Sequence, residues 1–145
     1  MPSAQEQFWT QRSFAFVGHS ARRRFPRLSY GEARKRGKAV YPVDASVAEV
    51  EGDRTFADLA SLPEKVDGVV LEVPPEETAG WVERAAAAGL RRVWIHAGCD
   101  TPEALEAARR AGLEVLTGHC AVMYLSQGFS AHAVHRFFTR LAGRY

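Results

Sequence analysis

Only two cysteines, Cys99 and Cys120, occur among 145 residues. That is too few for a disulfide framework, and a reducing, cytoplasmic interior is the expected home. No apolar run approaches the ~18 residues that a membrane span needs. The opening MPSAQEQ has none of the charged-then-apolar profile of a secretory signal. These absences set aside a disulfide-stapled secreted mini-protein and a membrane protein. No internal repeat or low-complexity tract is present. Cysteine pairs at C-x2–4-C spacing are missing as well, so no metal site is expected. Lysine is scarce, three against sixteen arginines. Arginine favours bidentate phosphate contacts, although GC-rich coding produces the same bias.

What is present describes one globular domain. The composition is 46% hydrophobic and 25% charged, ordinary for a folded protein. A length near this value holds one domain of roughly 100–200 residues. Net charge is +2, but its distribution is uneven. Between Arg12 and Lys38 stand nine basic residues, among them Arg22, Arg23 and Arg24, with Glu32 as the one acid. From Asp44 to Glu83 eleven acids face only Arg54 and Lys65. A local positive field suits a polyanionic ligand. A phosphate-bearing small molecule fits better than nucleic acid, because the basic residues gather around one turn without an aromatic platform.

Short β-type runs alternate with helical runs. Strands are expected at Ser13–Gly18, Lys38–Val43, Gly68–Val73, Arg92–Ala97 and Glu114–Thr117. Pro42 should sit at or past the end of the second, since it cannot donate to a ladder. Helices are expected at Arg27–Arg36, Thr55–Leu62, Glu76–Ala88 and Thr101–Ala111. Thr101 is a natural cap before Pro102, and Gly112 closes that helix. Ser130–Leu141 reads as a further amphipathic helix, with Ala131, Val134, Phe137, Phe138 and Leu141 as its apolar stripe. Phe8 and Trp9 fit a short helix within residues 1–12, which the pattern does not place.

This alternation predicts an α/β, Rossmann-like three-layer sandwich around a five-stranded parallel sheet. The strand order 3-2-1-4-5 follows if the crossovers reverse direction after the third strand. The expected organisation is an N-terminal segment over 1–12, the domain proper over 13–125, and a C-terminal helix over 126–145 packed upon it. Ligands of such sheets bind beyond the carboxyl ends of the strands, at the reversal.

The residues at those ends are the candidates. After the first strand comes Gly18-His19-Ser20-Ala21-Arg22-Arg23-Arg24. Compared with the G-x-G-x-x-G dinucleotide fingerprint, the second glycine is Ser20 and the third is missing. Gly18 permits a tight turn, Ser20 offers a hydroxyl and an N–H, and the following helix offers its N-terminal amides to phosphate. The arginines neutralise further charge. The second strand ends in Pro42-Val43-Asp44, where an acid is placed to bond a ribose, cap a helix or close a turn. The third ends in Val73-Pro74-Pro75, a rigid wall for an adenine or an apolar arm, or a loop terminator. The fourth ends in His96-Ala97-Gly98-Cys99, and the fifth runs on into His119-Cys120. A Cys–His pair needs the two side chains in reach of each other. His119 and Cys120 are neighbours on an extended segment and face opposite ways. Any such pair would join Cys120 with His96, or His119 with Cys99; buried, inert cysteine is the default reading.

The FAFVGHS turn, the YPVD segment, the VPPE loop, the WIHAG strand and the LEVLTGHC segment fall in an order that resembles a known family. It is the small bacterial CoA-binding proteins of the succinyl-CoA synthetase α-subunit N-terminal-domain type. The likeness runs from Arg12 to Leu125. Where that family has V-G-A-S, V-x-P-V-N-P, W-x-Q-x-G and R-C-P, this chain has His19 for Ala, Asp44 for Asn, His96 for Gln, and His119-Cys120-Ala121 at the last motif.

The resemblance implies that Gly18, His19 and Ser20 hold the CoA pyrophosphate. It implies that Pro42, Val43 and Asp44 meet the adenosine, and that Val73, Pro74 and Pro75 flank the adenine or pantetheine. His96 and Gly98 complete the expected lining. The Arg22–Arg24 cluster fits the 3′-phosphate that distinguishes CoA from NAD. The expected function is binding of coenzyme A or an acyl-CoA without catalysis. The alternative is an NAD(P)-dependent or CoA-thioester enzyme using His96, His119 or Cys120. The expected partner is the small-molecule CoA ligand alone, with no membrane, in a monomer or a homodimer whose face would use Phe137 and Phe138.

Overall fold

The computed structural model describes residues 7–22 and 25–118. Its strands are β1 (Ser13–Gly18), β2 (Ala39–Val43), β3 (Glu49–Val50), β4 (Asp53–Arg54), β5 (Gly68–Glu72), β6 (Arg92–His96) and β7 (Glu114–Gly118). Its helices are α1 (Arg27–Lys35), α2 (Pro75–Ala87) and α3 (Pro102–Ala111). Five strands form one parallel sheet in the order β2-β1-β5-β6-β7, and β3 pairs with β4 as a separate hairpin.

All six residues of β1 are buried, because a parallel strand is covered on both faces. Alternation sorts its side chains. Phe14 and Phe16 join Val70, Trp94 and Leu116 under α1, where Tyr30 and Ala33 meet them. Ala15 and Val17 join Val43, Val69, Leu71, Val93 and Ile95 under Trp81, Val82 and Ala85 of α2 and Ala104 and Ala108 of α3. One face is thus aromatic and the other aliphatic, and the layers are those of a Rossmann-like sandwich.

Phe8 and Trp9 complete the aromatic face at 2% and 3% exposure. The Phe8 ring meets Trp9 edge-on at 4.8 Å, and Trp9 lies 5.1 Å from Trp94. Of the N-terminal stretch that the sequence pattern leaves unplaced, Phe8 and Trp9 are therefore core.

The strand order corrects the expected 3-2-1-4-5. Strand β5, third of the five, pairs with β1 and not with β2. The direction of winding reverses after the second strand, giving the doubly wound order 2-1-3-4-5. Pro42 supplies the physical reason. It lies inside β2 opposite Phe16, and its carbonyl points outward, where it accepts from Phe56 N at 2.9 Å. The N–H that proline lacks would point the same way. A strand so built suits the margin of a sheet and not its middle.

Thr55–Leu62 is not a helix either. Thr55 Oγ1 donates to Val47 O at 2.6 Å, Phe56 bridges to Val43, and only Leu59–Ser61 makes a 3-10 turn. Asp58 caps that turn by accepting from Leu59 N. The β3–β4 hairpin turns through Glu51 and Gly52, both at positive φ, 51° and 83°, as a two-residue primed turn requires. Thr101 caps α3 by accepting from Ala104 N at 3.0 Å, with Pro102 in its first turn and Gly112 closing it. Ser130–Leu141, and so the 126–145 segment, lies outside the described residues.

Candidate ligand-binding site

The reversal falls between β1 and β5. Gly18 is in register with Glu72, so the two strands end level. Beyond them the chain leads one way toward α1 and the other way into α2, so that Gly18–Arg22 face Val73-Pro74-Pro75 and the first turn of α2 across a crevice. Val73 is fully buried, Pro74 is the cap residue of α2 and Pro75 its first residue. Few backbone N–H groups project from that wall.

Gly18 works by its smallness, not by a left-handed backbone. A Cβ built there would come within 2.7 Å of Phe25 Cδ2 and 2.9 Å of Phe25 Cα. Only glycine lets the chain entering α1 pass this close to the tip of β1.

Asp44 lies at the tip of β2 with 1% of its surface exposed. Its Oδ2 accepts from Ser20 N at 3.0 Å and from Ser20 Oγ at 2.5 Å. Its Oδ1 accepts from Ser46 N at 2.9 Å and from Ser46 Oγ at 2.5 Å. A carboxylate has about four lone-pair sites, and all four are filled. The Ser46 hydroxyl in turn accepts from Ala21 N at 3.2 Å. Two consecutive amides of the turn after β1 are therefore held by the loop after β2.

Arg22 reaches across the crevice. Its guanidinium lies 2.7 Å from Glu76 Oε2 and 3.2 Å from Glu77 Oε2, in the first turn of α2. His19 Nε2 stands 3.9 Å from the same Glu77 oxygen, while His19 Nδ1 is buried without a hydrogen-bond partner among the described residues. A bond from its own backbone N–H, and then Arg22, hold the Glu76 carboxyl below the usual range.

One strand further on, His96 Nδ1 lies 3.8 Å from Glu72 Oε1. Cys99 N donates to His96 O across the turn that contains Gly98. Thr78 Oγ1 donates to Cys99 O at 2.6 Å, tying this turn to α2.

The fold thus brings Gly18, His19, Ser20 and Arg22 together with Asp44 on one side and Val73, Pro74 and Pro75 on the other. Pro42 and Val43 end β2 beneath Asp44. His96 and Gly98 sit beyond β5, next to Glu72. Arg23, Arg24, His119 and Cys120 lie outside the described residues. Sequence reasoning missed Ser46 and Glu77 as parts of the mouth, and gave Glu76, the last residue of the VPPE loop, no role there. The adjacent acids after Pro74-Pro75 were the available signal, since acids gather at helix starts and this start faces the arginine-bearing turn. Among the described residues no group of three His, Cys, Asp or Glu side chains converges on a metal position.

The sequence profile of the CoA binding domain matches residues 12–126, which takes in the whole sheet and both walls of the crevice. The chain belongs to the CoA binding domain family. A hypothetical protein from Pyrococcus horikoshii OT3 has the same fold at 27% identity, over 83% of this chain and 86% of that one, with a TM-score of 0.74. A conserved hypothetical protein from Pyrococcus furiosus matches at 26% identity, over 75% and 95% of the two chains, with a TM-score of 0.65. An acetyl-coenzyme A synthetase 1 of Candidatus Korarchaeum cryptofilum shares the fold at 23% identity. There this chain covers 26% of the longer one, with a TM-score of 0.56.

As a CoA binding domain, the chain departs from the nicotinamide pattern at its most telling residue. Asp44 stands where a ribose-binding acid would, but it has no lone pair left for a ribose hydroxyl. No helix among the described residues is long and apolar enough to cross a membrane.

Proposed function

We propose that this CoA binding domain holds coenzyme A or an acyl-CoA in the crevice between β1 and β5, and that it does so without catalysis of its own. One observation carries the reading. The sheet reverses where the glycine-tipped β1 and the proline wall after β5 stand side by side, the position at which doubly wound sheets take nucleotides. Arg22 at that mouth offers a planar fork to a phosphate. His19 stands beside it, with its Nε2 3.9 Å from Glu77 Oε2. The N-terminal turn of α2 adds its dipole.

In this reading the pyrophosphate lies over Gly18, His19 and Ser20, with Arg22, Arg23 and Arg24 reading phosphate charge. The adenosine lies toward Pro42, Val43 and Asp44, and the pantetheine toward Val73, Pro74, Pro75, His96 and Gly98. Asp44 orders the turn and is not itself a ligand to the phosphates.

A thermal-shift series with CoA, acetyl-CoA, NAD and NADP tests this, because a ligand that binds only the folded state raises the midpoint. CoA or acetyl-CoA should raise it, and the nicotinamide nucleotides should not. Stabilisation by NAD and none by CoA would overturn the assignment. A native mass spectrum of the purified protein reads the same question through co-purified CoA.

A further inference from the structure

We infer that Arg22 is an exchange residue, held by Glu76 and Glu77 while the crevice is empty and passed to a ligand phosphate when it fills. The inference rests on the CoA reading and says how that site is guarded.

Arg22 belongs to the loop after β1, and the two glutamates belong to the first turn of α2 after β5. Their ion pairs, at 2.7 and 3.2 Å, therefore cross the crevice above the level ends of Gly18 and Glu72. His19, from the same loop, approaches the same Glu77 carboxylate at 3.9 Å. Two residues of one wall thus lean on one carboxylate pair of the other, over the place where a pyrophosphate would lie.

The pairs are built to be broken. Arg22 and Glu76 are 52% and 58% exposed, and ion pairs so open to water hold weakly. A dianionic phosphate carries more charge than a carboxylate and fits the guanidinium fork equally well. The released glutamates keep other support. Glu76 retains its own backbone N–H, and both stay in the first turn of α2, where the helix dipole favours acids. A ligand lacking phosphate, such as pantetheine, has nothing with which to displace them.

The test is a double-mutant cycle read by calorimetric CoA titration at low salt, with four proteins: wild type, Arg22→Ala, Glu76→Gln with Glu77→Gln, and the triple variant. The glutamine pair should tighten CoA by about three- to tenfold in the presence of Arg22. That gain should vanish in the Arg22→Ala background. Pantetheine should gain nothing from the same change. A gain of equal size with and without Arg22 means simple repulsion by two acids and overturns the exchange. So does an unchanged CoA affinity. CoA binding by none of the four proteins, each shown folded by its melting curve, overturns the CoA reading and the exchange together. An additive cycle on a wild type that binds CoA overturns the exchange alone.

Discussion

The tip of β2 and the first turn of α2 both bring carboxylates to the loop after β1, but under opposite conditions. Asp44 is buried, and four donors fill its lone pairs. Glu76 lies open to solvent and shares one guanidinium with Glu77. The first arrangement is part of the fold, since removing its charge takes the shared acceptor from four part-buried hydrogen bonds. The second costs little to open. Solvent exposure and the number of satisfied donors, more than charge, separate a carboxylate that builds a site from one that guards it.

The sharpest way to break this contrast is Asp44→Ala. It leaves Ser20 and Ser46 donors without an acceptor, and a loss of about 2–4 kcal/mol is expected in urea unfolding. A midpoint close to wild type would show that the two loops do not depend on the carboxylate.

Gly18→Ala comes next. Its Cβ would press on the Phe25 backbone, at a cost of about 1–3 kcal/mol. A normal melting temperature would mean that α1 shifts freely at its start.

A third carboxylate, Asp53, lies between the two extremes. It accepts from the Tyr30 hydroxyl and, at 3.0 Å, from Arg34. Tyr30→Phe should cost about 1 kcal/mol near neutrality. Burial, and then the bond to Asp53, push the Tyr30 phenol above its ordinary value of 10.0. The unfolded chain therefore loses this proton first as pH rises. The stabilisation is whole below that value and drains away above it. The stability gap between wild type and Tyr30→Phe, followed by urea midpoints, should be level through neutral pH and narrow above pH ~10. A gap that widens there contradicts the assignment.

The smallest effect on folding is expected from Arg22→Ala, under about 0.5 kcal/mol, although CoA affinity should fall. A large loss of stability would place Arg22 with Asp44 as part of the scaffold.

Much of the frame can be read from local pattern. The apolar run of β1 and the Thr101-Pro102 to Gly112 signature of α3 need only neighbours in sequence to make sense. The strand order does not, because it depends on which way the second crossover turns. Pro42 bore on that choice, since a residue without an N–H is poorly placed between two partners. The β3–β4 hairpin escaped notice because Glu51-Gly52 is a weaker turn signal than Asn-Gly. At the mouth, Gly18, Ser20 and Asp44 are legible as residue types in the right places. Their pairing is not, because residues 24 apart bond only through the closed fold. The arginine cluster could be seen as charge, while its acidic counterpart after Pro75 lay 54 residues away.

The placement of Pro42 also bears on how the molecule keeps to itself. An extended segment from another chain that tried to lengthen the sheet beyond β2 would meet a backbone position with no donor, and Phe56 already bonded at the same spot. Templated, amyloid-like growth from that flank is blocked in the main chain itself, whatever side chains the surface carries.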